Sequence, residues 1–238
     1  MVITFFIRKH VLILFFLCLL TTNLLAQENL YVFYPTISNP EIIKDLLEKH
    51  VKSTDVLVFG KHDDFITRVK ADQPDAIITK TVLIYDQLGD YEVLLNGQRN
   101  GKAETRYVIL SISKPLNIES INSSTVIGIV NFLGRTGIES FSKQFFPTAP
   151  RLKRVSKVGD LLPLLSLNIA AGILIEDVFV DYFKTTSQLN FFVTPLPVLI
   201  NGTVGFAVKK ERKADKVVNI LKKNDKEICD LFHIQQWK

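Results

Sequence analysis

The segment Asn131-Phe-Leu-Gly-Arg-Thr-Gly137 sets an arginine immediately before a helix start. Thr136 and Glu139 have the T-x-x-E spacing of a capping box, so a helix is expected to begin there. Arg135 offers a planar fork of donors that grips a carboxylate or phosphate bidentately, beside a helix end whose N–H groups favour an anion. The plainer role is a capped helix with a surface arginine. Thr79-Lys80-Thr81 surrounds an ammonium with two hydroxyls. That set suits an oxyanion, unless Lys80 is simply a solvated residue at a helix start. Tyr34 and Thr36 follow an aromatic, β-branched run, where a tyrosine either stacks on a ligand or packs a turn. Glu176 and Asp177 close another apolar run and are placed to hold an amine across from Arg135, the alternative being carboxylates on a loop. Together, Tyr34, Thr36, Thr79, Lys80, Thr81, Asn131, Arg135, Thr136, Gly137 and Asp177 form the expected ligand-binding set.

Catalytic chemistry has little support. No H-E-x-x-H, G-x-S-x-G or paired-cysteine motif occurs. The run from Gly97 to Ala103 only mimics a phosphate-binding loop, with a spacer missing and no Ser or Thr after Lys102. His10, His50, His62 and His233 are scattered, and the neighbours of His62, Asp63 and Asp64, are too close in sequence to converge on one ion. Cys229 sits in an amphipathic tail, where burial is the expected state. The reading is therefore a binding protein rather than an enzyme, with no cofactor and no metal.

Elements that would position these residues follow from periodicity. Short β-branched runs at residues 30–34, 55–59 and 75–79 alternate with helical patterns at 40–51, 64–71 and 81–87, the rhythm of a parallel α/β sheet. It is interrupted by two strand-like runs, 91–95 and 105–112, joined by Asn96-Gly-Gln-Arg-Asn-Gly-Lys102, which reads as a hairpin. The α/β rhythm then resumes with strands at 125–130, 152–155 and 171–175 and helices at 136–146 and 160–168. Residues 190–194 and 205–208 read as extended, and the tail from 213 onward as helical. Arg151-Leu-Lys-Arg-Val-Ser-Lys157 reads as an edge strand with a charged outer face, or as a docking surface for a membrane partner.

The N-terminus carries a different signal. Residues 1–26 hold no acid, then Arg8, Lys9 and His10, then an apolar run from 11 to 20 that ends before Ala26. That is the pattern of a cleaved secretory signal. Across all 238 residues there are 29 basic and 24 acidic side chains, a net +5. Without the leader the surplus falls to +3 and one cysteine remains, so no intrachain disulfide is available. An exported chain this mildly basic is not expected to bind nucleic acid.

The order of segments resembles the type 2 periplasmic substrate-binding proteins of ABC transporters, nearest to the phosphate/phosphonate-binding branch. The likeness rests on Gln73-Pro-Asp-Ala-Ile-Ile-Thr79, Tyr107-Val-Ile-Leu-Ser-Ile-Ser113, Val126-Ile-Gly-Ile-Val-Asn131 running into Gly134-Arg-Thr-Gly137, Ala171-Gly-Ile-Leu-Ile-Glu-Asp177 and Val204-Gly-Phe-Ala-Val-Lys209. The hydroxyl run typical of phosphonate binders is reduced to Thr136. The resemblance implies an α/β, two-lobed fold with a ligand cleft between lobes. Residues 27–113 and 204–238 would form the first lobe, and 114–203 the second. It further implies a monomeric periplasmic protein that captures a small anionic or zwitterionic solute for an ABC-type permease. Its alternative is a sensor or interaction subunit of a membrane signalling partner with a modified cleft.

Overall fold

Alternation along Leu30, Tyr31, Val32 and Phe33 shows how the first sheet is covered on both sides. Leu30 and Val32 join one apolar cluster, and Tyr31 and Phe33 another, because successive strand side chains point to opposite faces. The computed structural model describes residues 28–52 and 54–238. The leader expected over residues 1–26 lies outside them.

In chain order the first half runs β1 (Glu28–Phe33), α1 (Pro40–His50), β2 (Thr54–Val58), α2 (His62–Asp72), β3 (Ala76–Lys80), α3 (Thr81–Gln87) and β4 (Tyr91–Gln98). The second half is β5 (Glu104–Ser111), β6 (Val126–Val130), α4 (Gly134–Ser142), β7 (Arg151–Val155), α5 (Leu162–Ser166), β8 (Gly172–Glu176), α6 (Val180–Thr186) and β9 (Phe192–Asn201). The chain then returns through β10 (Val204–Lys209), α7 (Asp215–Leu221), α8 (Lys226–Leu231) and β11 (Gln236–Trp237). Two sheets result, ordered β11-β4-β10-β3-β1-β2 and β7-β6-β8-β5-β9. Strands β1, β2 and β3 pair in parallel, as do β6, β7 and β8, while β10 inserts antiparallel between β3 and β4.

Four expectations need correction. The run 104–111 does not form a hairpin with 91–98. It bonds to β8 and β9 in the second sheet, so the first crossover lies near residues 99–103 rather than at 113. The local turn is real: Asn100 and Gly101 have φ of 50° and 74°, and Arg99 and Lys102 exchange both backbone bonds. It reverses the chain between sheets instead of within one. The Thr136–Glu139 capping box is not formed either. Helix α4 starts two residues early, behind Leu133 and a left-handed Gly134 (φ 71°), and Glu139 bonds Arg154 at 3.1 Å. The helix expected over 160–168 is a 3-10 turn followed by the short α5. Finally, the tail is two short helices, and its last strand, β11, pairs with β4.

The two crossovers lie against each other. Gly202 N donates to Ala103 O at 2.6 Å, Thr105 Oγ1 to Gly202 O at 3.0 Å, and Thr203 Oγ1 to Gly97 O at 2.5 Å. One apolar cluster contains side chains of both sheets, among them Phe33, Ile77 and Leu83 with Tyr107, Ile129 and Phe132. Strand β7 is the edge of its sheet, with Arg151 and Lys153 exposed. No helix among the described residues is long and apolar enough to cross a membrane.

Candidate functional site

One parallel strand of each sheet ends against the other lobe, and the two final residues carry opposite charge. Lys80 is the last residue of β3 and Glu176 the last of β8. Their side chains meet in an ion pair across the lobes, with only 4% and 3% of each residue exposed. Arg99, aimed inward from the crossover turn, sends both terminal nitrogens to the other Glu176 oxygen at 3.2 Å. Its Nε donates to His233 O at 2.5 Å. The Lys80 ammonium also lies over two ring faces, 5.1 Å from the Tyr34 centroid and 5.6 Å from that of Phe132. Such cation–π contacts gain strength where water is excluded.

The C-terminal segment closes one side. Tyr34 donates its hydroxyl to Phe232 O at 3.1 Å, and Thr36 Oγ1 lies 3.1 Å from His233 Nε2. The His233 ring meets Phe179 of the second lobe edge-on, with centroids 5.0 Å apart. Helix α4 is held from the first lobe as well. Gln87 Nε2 donates to Leu133 O at 2.7 Å, while its Oε1 lies 2.9 Å from His62 Nε2. A cavity of about 20 Å³, lined by Lys80, Tyr107, Phe132, Glu176 and Phe179, remains between the lobes. That is room for one water molecule. A wider polar groove of about 450 Å³ flanks it, bounded by Arg99, Lys102, Glu104, Arg106 and Asp177.

Electrostatics follow from this burial. Desolvation alone would raise the Glu176 carboxyl, but Lys80 and Arg99 outweigh it and hold it below the ordinary 4.5. Burial depresses Lys80 against the raising pull of Glu176, and it drives the Tyr34 and Tyr107 phenols up. His233 is lowered, first by burial and then by Arg99. A carboxylate with a depressed folded-state pKa stabilises in full above its unfolded value. That stability is lost as pH falls through the folded one, because the unfolded chain takes up the proton first. The melting-temperature advantage of wild type over Glu176→Gln is therefore expected to be steady at neutral pH and to narrow below pH 4.5. A gap that does not change on acidification would contradict the assignment.

Of the residues singled out in the sequence, Tyr34, Lys80 and Glu176 converge here. Thr79 and Asn131 each keep a buried side-chain oxygen without a hydrogen-bond partner among the described residues. Thr81 serves the crossover instead, bonding Asn96 Oδ1 at 3.2 Å and packing under Gly202. Arg135 and Thr136 are exposed, so the cation opposite Glu176 is Lys80 and not Arg135. Gly137 is a packing position, where an added Cβ would stand 2.8 Å from the Leu133 Cβ. Asp177 faces the polar groove. Arg99 and Phe132 join the site although no pattern in the sequence points to them. The only signal for Arg99 was its place in the Asn-Gly turn, which reads as a solvent loop when the flanking strands are paired with each other.

No family model and no curated protein matches the chain. Solved structures do. The binding-protein component of an ABC phosphonate transporter from Pseudomonas aeruginosa superposes with a TM-score of 0.63 at 11% identity, covering 89% of this chain and 81% of that one. A methylphosphonate complex from Prochlorococcus marinus gives 0.63 at 13%, covering 89% and 92%. A reconstructed ancestral amino-acid-binding protein, a precursor of cyclohexadienyl dehydratase, gives 0.57 at 14%, covering 89% and 96%. The fold is that of the two-lobed, type 2 periplasmic binding proteins.

Proposed function

We propose that this chain is an exported binding protein that captures a small zwitterionic solute between its lobes and presents it to a membrane permease. The observation that carries this reading is the charge set at the facing strand ends: an anion from one lobe, and cations from the other lobe and the crossover. A zwitterion entering between Lys80 and Glu176 exchanges one ion pair for two, its ammonium meeting Glu176 and its carboxylate meeting Lys80, while Arg99 stays on Glu176. A simple anion leaves that carboxylate without a new partner and gains less. The unpartnered oxygens of Thr79 and Asn131 offer further hydrogen bonds. Binding rather than chemistry is favoured because the buried groups are already paired with one another. The lobes would be residues 28–98 with 204–238, and residues 104–201, in a monomer that leaves the cytoplasm behind a cleaved leader.

Thermal-shift and calorimetric titration with free amino acids, alkylphosphonates, inorganic phosphate and ATP test this reading. An amino acid or aminophosphonate is expected to raise the melting temperature, and Glu176→Gln to abolish the shift. A screen in which no amine-bearing solute binds would reject it. A second reading, an interaction subunit of a membrane sensor whose cleft stays shut, is favoured by one observation: the cavity lined by Lys80 and Glu176 themselves measures about 20 Å³.

A further inference from the structure

We infer that Lys80 is a built-in ligand: its ammonium fills an ammonium site made by Glu176 and the faces of Tyr34 and Phe132, and holds the lobes closed without any solute. A carboxylate with flanking aromatic faces is a cage for an ammonium guest, and here the guest is part of the chain. Lys80 belongs to the first sheet and Glu176 to the second. The pair is therefore a clamp across two bodies and does not brace either one. One Glu176 oxygen takes the Lys80 ammonium, and the other takes both terminal nitrogens of Arg99, so three of its roughly four acceptor positions are taken. The cavity beside it admits a water but no solute. An amine-bearing solute must expel Lys80 to enter, so binding is an exchange and not an addition to an open cleft. This inference rests on the solute reading above for its consequence, but the clamp itself does not depend on which solute binds.

The clamp is tested on the full mature chain. Small-angle scattering of the unliganded wild type is expected to show closed lobes. Lys80→Met, which keeps the volume and removes the charge, is expected to shift the population toward open. In Lys80→Ala the deleted atoms correspond to n-propylammonium. That cation is expected to raise the variant's melting temperature by about 3–6 °C at saturating concentration, with no effect on wild type and none from n-propanol. An unliganded wild type with open lobes, a Lys80→Met protein as closed as wild type, or a folded Lys80→Ala protein indifferent to n-propylammonium each overturns the inference. A Lys80→Met protein that opens, while no amine-bearing solute binds either protein, supports the clamp and rejects the solute reading.

Discussion

Replacing Glu176 by alanine is expected to destabilise the protein by about 3–5 kcal/mol, the range for stranding buried charge. In a chain of this size that lowers the melting temperature by roughly 6–20 °C. The reason is arithmetic of charge in a dry place. Glu176 is the counter-ion of both Lys80 and Arg99, and its removal leaves two cations facing each other among Tyr34, Tyr107 and Phe132. Lys80→Met is expected to cost clearly less. Glu176 then keeps Arg99, and the desolvation of a buried ammonium is relieved. Thermal or urea denaturation of the two variants gives the order directly. The reverse order would mean that the contact of the Lys80 ammonium with the Tyr34 and Phe132 rings, more than its pairing with Glu176, holds the lobes together. A double variant completes a cycle whose coupling energy isolates the ion pair from its surroundings.

The second large effect is expected at Gly202, in the return crossover. Its φ is +91°, and an added Cβ would stand 2.6 Å from the Thr81 Cβ. Gly202→Ala therefore combines a backbone conformation that side chains resist with a clash that a β-carbon cannot rotate away from. Together these amount to about 2–5 kcal/mol. Gly101→Ala supplies the control. Its φ is +74°, yet nothing lies within 4 Å of the added atom, so it carries the backbone cost alone, about 1–2 kcal/mol. Equal losses of stability in the two variants would show that the Thr81 contact relaxes freely. Because Gly202 also bonds Ala103 across the crossovers, its substitution is expected to alter lobe spacing in scattering experiments, whereas that of Gly101 is not.

What could be read in the sequence divides along the range of the interactions responsible. The β-branched and aromatic run of Leu30 to Phe33 and the apolar run of Ile173 to Ile175 are local patterns, and both are strands that end at the site. Lys80 and Glu176 were recognisable because a residue ending a parallel strand faces the edge where ligands gather. The sheet of residues 104–111 is not legible in the sequence, because a turn signal fixes a reversal and not a partner. Their partners are residues 172–176 and 192–201, distant in sequence. The inward aim of Arg99 is hidden for the same reason. Thr136 and Glu139 had the right spacing for a cap, but Gly134 allows the helix to begin earlier, and the local preference yields to the packing of Leu133 and Phe132.

The place of β10 in the first sheet has a consequence for how the molecule comes into being. The second sheet is built from one unbroken stretch, residues 104–201, and can assemble as soon as that stretch is available. The first cannot: Val204–Lys209 lies between β3 and β4, so those two strands have no common neighbour until residue 209 has been made. Synthesis from the N-terminus thus delivers half a sheet early and its keystone late, and long-range closure of this kind is slow. The first lobe is therefore expected to set only once Val204–Lys209 is in place, after the second sheet has all of its strands.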